Sequence, residues 1–315
     1  MKNKKETIIS IDIGNHKCRC TLFNKLNNTL TILKMGTSKT NGLTHTTITD
    51  QHLFQESLHT CIKSCQSTIN KKHCQIIINS PIEHPHTHTT TTAPPLLNNI
   101  KTNIQNALKD FSQHPLIFLP AGQAIYEQGL THDEKTKGCI LIDIGAYNSK
   151  IKIIQNKLIQ EVVSVPIGGY TITKDLSICL KTNEETAEKL KILSCNLEEN
   201  PPQKEITHNN ETFDNPLIQK IIKARVSEWL QLIQKKTPKH PFIIYGGGAL
   251  LKNKSAFLKN KYNISCRRLE PTSIHKNCNQ LTFATSIANG IYAEKQQLLT
   301  KKSTLGIKKW FQNWL

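Results

Sequence analysis

The chain has 315 residues, enough for two domains of ordinary size or one two-lobed fold. Lysine and arginine number 41 against 23 aspartates and glutamates, a formal charge of +18 that favours an anionic partner, either nucleic acid or a negatively charged membrane. The lysines are scattered singly or in pairs rather than massed, in a sequence also rich in Asn, Ile and Thr, as a biased coding composition gives, and no basic run is interleaved with aromatics, so nucleic-acid binding is not expected.

TIISIDIG, residues 7–14, reads as a strand that closes on Asp12 and a glycine turn, then runs through Asn15, His16 and Lys17 into a second strand at 20–23. A third strand is read at 29–34. Residues 50–70 carry apolar side chains at helical spacing, with Asp50 placed to cap the start. A strand follows at 74–78. The stretch PIEHPHTHTTTTAPP, 81–95, reads as a loop; His84, His86 and His88 are spaced like metal ligands, but a solvated His/Thr-rich loop is the reading adopted. A helix at 97–111, a strand at 116–119, a helix at 121–128 and a polar connector at 131–137 lead to GCILIDIGAYNSK, 138–150.

That stretch nearly copies the N-terminus: a strand closing on Asp143, a glycine turn at Gly145, and a second strand at 151–154. Two such hairpins predict a duplicated architecture whose lobes each push a glycine turn toward a shared cleft. Glycine lets backbone N–H groups approach phosphate oxygens closely, having no Cβ in the way. Further on, a strand ends in the Gly168–Gly169 turn, followed by helices at 171–180 and 183–193. Residues 194–215 are polar and read as an exposed excursion; 217–236 read as a long amphipathic helix. FIIYGGGA, 242–249, is a third strand-to-glycine turn, where Gly246, Gly247, Gly248 and Ala249 suit a flat adenine. Residues 282–294 form a closing helix.

Ten cysteines include no CxxC pair, several lie in apolar runs, and no signal peptide precedes them, which fits buried thiols in a reducing cytoplasm. No apolar run approaches the ~20 residues that span a bilayer. The last residues, LGIKKWFQNWL, place Ile307, Trp310, Phe311, Trp314 and Leu315 on one helical face, with Lys308 and Lys309 at its edge. This predicts a helix lying in the membrane interface, on a polar linker at 295–304.

Taken together, the motif order resembles the actin-like ATPase superfamily and, within it, the bacterial FtsA cell-division family. VPIGGYTITKDLSICLKTNEETAEKLKI (165–192), IYGGGALL (244–251), TFATSIANGIYA (282–293) and LTHDEKTKGCILIDIG (130–145) carry the likeness, which covers nearly the whole chain. It implies a two-lobed actin-like (ribonuclease H-like) α/β ATPase fold with a C-terminal amphipathic helix. The first lobe is 1–136, closed by 282–294; the second is 137–281 with a small subdomain at about 183–241; a linker at 295–304 and a membrane-targeting helix at 305–315 follow. The family's inserted subdomain is truncated near 80–96.

For the site, the resemblance implies ATP held by Asp12, Gly14, Asn15, His16, Lys17, Asp143, Gly145, Ala146, Tyr147, Asn148, Gly168, Gly169, Glu188, Lys191 and Gly246 to Ala249, with Mg²⁺ held through water by Asp12 and Asp143. Glu188 and Lys191 would stand near the ribose. The chain departs from the pattern in three places. Asn15 and His16 replace a Ser or Thr, Ala146 to Lys150 replace a glycine–threonine–aspartate turn, and Leu119 stands where a water-positioning glutamate is often found. Slow or absent hydrolysis is expected, since in-line attack needs a group to position water and a carboxylate shell for Mg²⁺. Arg225 matches an arginine near the family's docking site for the acidic FtsZ tail; an ordinary solvated arginine is the open alternative. The expectation is an ATP-binding membrane adaptor for FtsZ filaments, cytoplasmic and peripheral, which self-associates, touches anionic lipid and meets later division proteins. Another actin-like scaffold such as a pilus-assembly protein, an active ATPase or sugar kinase, and a cleft that has lost nucleotide remain alternatives.

Overall fold

The computed structural model describes residues 6–26, 29–44, 47–65, 74–79, 95–194, 196–197, 203–269, 281–296 and 298–299. The chain divides into two units: Met1–Leu130 with Glu270–Leu315, and Thr131–Leu269.

Unit 1 is built on a five-stranded sheet of order β3-β2-β1-β6-β7. Its strands are β1 (Glu6–Ile13), β2 (Lys17–Leu26), β3 (Thr29–Lys39), β6 (Cys74–Asn79) and β7 (Ile117–Leu119); β4 (Leu43–Thr44) and β5 (Thr47–Ile48) make a separate small hairpin. The first three strands pair antiparallel, whereas β1, β6 and β7 run parallel. β1 is buried on both faces, hence its near-continuous apolar sequence. One face packs Ile9, Ile11 and Ile13 against Phe54, Leu58 and Ile62 of α1 (Gln51–Cys65) and Ile104 of α2 (Pro95–Leu108). α3 (Gln123–Gly129) meets the closing helix α9 (Ala284–Lys295), which also packs on β1, β2 and β6. Small residues let α9 approach closely: a Cβ on Gly290 would meet the Phe23 ring at 2.5 Å.

Unit 2 repeats the plan. Its sheet has order β10-β9-β8-β13-β14, from β8 (Cys139–Ile144), β9 (Ser149–Gln155), β10 (Leu158–Val165), β13 (Phe242–Tyr245) and β14 (Cys266–Arg268). Again three strands pair antiparallel and three parallel. A second core gathers Ile172 and Leu176 of α5 (Gly169–Cys179), Ala187 and Leu190 of α6 (Glu184–Leu193), and Ile218, Ile222 and Val226 of α7 (Asn215–Gln234). α8 (Lys254–Tyr262) leads into β14.

Several elements differ from expectation. Residues 132–137, predicted as a connector, form α4 (His132–Lys137), where Thr131 and Glu134 make a reciprocal capping box. β3 extends to Lys39, and β10 begins at Leu158. The excursion at 194–215 contains a hairpin, β11 (Glu205–His208) and β12 (Glu211–Asp214), turned by Asn209 and Asn210 at positive φ. Ile206 and Leu197 bury there into the second core, so the segment is not simply exposed. Asp50 does cap α1, accepting from the Leu53 N–H at 3.0 Å. Cys20 and Cys65 are paired across the packed faces of β2 and α1, where free thiols are predicted, because 45 residues of sequence separation give no pairing signal. Burial pushes the thiols of Cys18, Cys61, Cys74 and Cys139 up to about 12. The His-rich loop at 81–94, the end of the first predicted helix at 66–70, most of the linker and the amphipathic helix at 305–315 lie outside the described residues.

Candidate functional site

The second glycine turn is a four-residue link between β8 and β9. The Gly145 N–H donates to the Asn148 carbonyl at 3.0 Å, and a Cβ on Gly145 would stand 2.9 Å from that oxygen. The turn at the start of α5 lies on it: Gly169 N–H donates to the Gly145 carbonyl at 2.9 Å and Tyr170 N–H to the Ala146 carbonyl at 2.7 Å. Gly168 has no room for a side chain, since its Cβ would meet the Ala146 oxygen at 2.4 Å. The third turn closes on the same strand end. Gly246, at φ 86°, passes over Asp143, and a Cβ there would meet Asp143 Oδ1 at 2.4 Å. A Cβ on Gly248 would meet Ile144 Cγ2 at 2.2 Å, and Gly247–Leu250 wind into a short 3₁₀ turn carrying Ala249. Two of the three glycines are therefore required by packing inside unit 2, whatever a ligand needs.

Glu188 and Lys191 are a bonded pair on α6. Lys191 Nζ donates to Glu188 Oε2 at 2.5 Å, to Thr173 Oγ1 at 2.8 Å and to the Gly169 carbonyl at 3.0 Å. Thr173, unmarked by the sequence, donates to the same Glu188 oxygen. The pair thus fastens the first turn of α5. Tyr147 stacks edge-on against Tyr170 at 5.0 Å, and the Tyr170 hydroxyl donates to Glu184, whose carboxylate raises the phenol to about 12. Asn148 donates to Ser164 at 3.5 Å.

Unit 1 carries the first glycine turn, between β1 and β2. Gly14 N–H donates to the Lys17 carbonyl at 3.2 Å, and a Cβ on Gly14 would lie 2.9 Å from that oxygen. Thr40, just past β3, braces it: its N–H donates to the His16 carbonyl at 3.0 Å and its hydroxyl to the Gly14 carbonyl at 2.7 Å. Asn15 and His16 are half-buried and Lys17 is exposed. Asp12, Asn79 and Leu119 stand side by side at the ends of three parallel strands. Asn79 donates to Asp12 Oδ1 at 3.1 Å, while its own oxygen is buried with no partner. Leu119 is 1% exposed, so the place for an acid is apolar. The registers pair Asp12 with Arg19 and Asp143 with Lys150, so Arg19 and Lys150 hold equivalent places in the two units. Among the described residues no three His, Cys, Asp or Glu side chains converge to ligate a metal directly.

A family model described as "Cell division protein FtsA" matches residues 140–288, a stretch that includes every glycine turn of unit 2. FtsA of Bacillus subtilis (strain 168) is 32% identical over 154 residues, 46% of this chain and 34% of that protein. FtsA of Buchnera aphidicola subsp. Baizongia pistaciae is 27% identical over 251 residues, 69% of this chain and 60% of that protein. The crystal structure of MreB 5 of Spiroplasma citri bound to AMPPNP superposes with a TM-score of 0.66 at 15% identity, covering 98% of this chain and 99% of that one. Over residues 140–288 the chain is FtsA-like, and its fold is actin-like.

Three more structures share the fold of the FtsA-like chain. A PilM–PilN type IV pilus biogenesis complex gives a TM-score of 0.61 at 11% identity, covering 91% of this chain and 98% of that one. MamK, bound to AMPPNP or as a double helical filament, gives 0.54 and 0.58 at 13% identity, each covering 92% of this chain and 99% of that one. The chain spans from about a third to three fifths of the length of the FtsA relatives named above.

Arg225 of the FtsA-like chain is not a solvated cation. It is bidentate to Asp175 at 2.6 and 2.8 Å and bonds Glu228 at 2.6 Å; the Asp175 bond leads in raising its pKa further. On α7 and the end of α8, Lys220, Lys223 and Lys261 line a pocket of ≈ 380 Å³ with Gln219 and Ser227. Sequence alone did not mark that pocket, because its lysines come from two helices.

Proposed function

We propose that the chain is an actin-like, ATP-binding adaptor of cell division that tethers FtsZ filaments to the inner face of the cytoplasmic membrane. The observation that carries this reading is the FtsA match over residues 140–288. A pilus-type scaffold shares the fold but only at 11% identity, which sets the order of the two.

Structures of the same fold hold AMPPNP or ADP, and the turns here suit such a ligand. In unit 2 the phosphate turn is Gly145, Ala146, Tyr147 and Asn148, backed by Gly168 and Gly169. The adenosine turn is Gly246 to Ala249, and Glu188 and Lys191 stand for the ribose. In unit 1 the phosphate turn is Gly14, Asn15, His16 and Lys17. The partnerless Asn79 oxygen beside Asp12 would suit a hydrated Mg²⁺ in unit 1, and Asp143 stands at the corresponding strand end of unit 2. The ion would offset phosphate charge. Leu119 cannot orient a water, so nucleotide serves as a structural ligand and turnover is slow or absent.

The acidic FtsZ tail would dock at the Lys220, Lys223 and Lys261 pocket, with Arg225 holding α7 to α5 through Asp175. Ile307, Trp310, Phe311, Trp314 and Leu315, flanked by Lys308 and Lys309, supply the lipid contact. One such helix binds weakly; self-association presents many and makes attachment firm. No helix among the described residues is long and apolar enough to cross a membrane. Later division proteins are further partners.

Co-sedimentation with anionic vesicles tests the reading: the full chain should pellet and a chain ending at Lys302 should stay in solution. Equal pelleting of both would sink the tether. A fluorescent ATP analogue with Mg²⁺ should bind without release of phosphate at an enzymatic rate.

A further inference from the structure

Behind the glycine turns of unit 2 lies a buried group that the nucleotide reading leaves unused. Lys254 opens α8 and is 4% exposed. Its ammonium donates to the Gly248 carbonyl at 2.8 Å and sits 5.2 Å from the centre of the Trp229 ring. Trp229, on α7, donates its indole N–H to Ser149 Oγ at 2.9 Å, and the Ser149 hydroxyl donates to the Ile167 carbonyl at 2.7 Å. Gly248 belongs to the third turn, Ser149 directly follows the second, and Ile167 precedes Gly168. One run of contacts therefore reaches all three turns from behind. An apolar side chain of similar length would fill the space without supplying the donor or the charge over the ring.

We propose that Lys254, acting through Trp229 and Ser149, is a positioning residue that sets the mutual spacing of the three glycine turns for nucleotide. The inference rests on the nucleotide reading above. Burial pushes the Lys254 amine down to about 8, opposed by the nearby Cys266 thiol of β14, which burial itself raises. Trp229 from α7 and Gly248 from the third turn present no titratable group to it. Charge on the amine, and with it the cation–π contact, is present below about pH 8 and lost above it.

The test uses the full chain, a fluorescent ATP analogue with Mg²⁺ between pH 7 and 9, and amide hydrogen exchange without nucleotide. Lys254→Met should weaken binding about tenfold at pH 7, flatten a several-fold fall in affinity that the unaltered chain shows as pH rises, and speed exchange at 145–149, 168–170 and 246–250. Its unfolding temperature at pH 7 should not drop, since a buried ammonium is removed. Trp229→Phe breaks the run at its middle and should loosen 145–149 and 168–170 while sparing 246–250. Wild-type affinity, pH profile and exchange in both variants would overturn the proposal. If the unaltered chain binds no analogue, the nucleotide reading fails with the ligand half of this inference, and the exchange pattern alone then decides whether the tie between turns exists.

Discussion

The two DIG turns share a backbone and differ in what supports it. In each, the glycine N–H bonds the carbonyl three residues on, at 3.2 Å in unit 1 and 3.0 Å in unit 2, and in each a Cβ would stand 2.9 Å from that oxygen. The first is braced by the hydrogen bonds of Thr40; the second is overlaid by backbone from α5 and by the crossing of Gly246 over Asp143. A duplicated fold keeps the turn because the strand ends demand it. The bracing is free to diverge, and with it the chemistry.

The largest break of that comparison should come from the glycines that only unit 2 uses. Gly246→Ala meets Asp143 at positive φ and Gly168→Ala meets two carbonyls, so each should cost about 3 kcal/mol or more in unit 2, read by denaturant unfolding. A mild effect at both would show that the turns are not stacked as described. Gly14→Ala and Gly145→Ala have equal clearances and should cost similar, smaller amounts, about 1–2 kcal/mol each; a severalfold disparity would show that bracing, not the turn itself, sets the cost. Thr131→Ala should remove about 1 kcal/mol by opening the α4 capping box. Burial raises the Glu134 pKa, but its bonds with Arg267 and Thr131 outweigh that and hold it below the usual range. That contribution is complete above the ordinary carboxylate pKa and is lost as pH falls through the lowered value, so an acid titration of Glu134→Gln should show a shallower loss of stability than the unaltered chain. The smallest effect is expected at Arg225. Arg225→Ala should loosen α7 yet change binding of an acidic peptide less than Lys220→Glu with Lys223→Glu, as fluorescence anisotropy would show.

Much of unit 1 and unit 2 could be read from residue patterns. Strands buried on both faces show as apolar runs, Asp50 announces its helix, and the DIG repeats announce the duplication. Thr131 and Glu134 also carried a readable cap, though charge and polarity made the segment look like a connector. The hairpin at 205–214 was less visible because only Ile206 and Phe213 contribute apolar surface to the second core.

What the sequence by itself determined is local: which segments are strands and helices, where the glycine turns fall, and that Leu119 is no acid. Backbone preferences and side-chain period act over a few residues, so neighbours suffice to read them. Only the tertiary structure decided that Gly168 and Gly246 are fixed by carbonyls and a carboxylate rather than by a ligand, that Arg225 is committed to Asp175, that Cys20 meets Cys65, and that Lys254 is buried behind three turns. Those contacts join residues far apart in sequence, and their energy comes from excluded volume and desolvation, which exist only once the chain has packed.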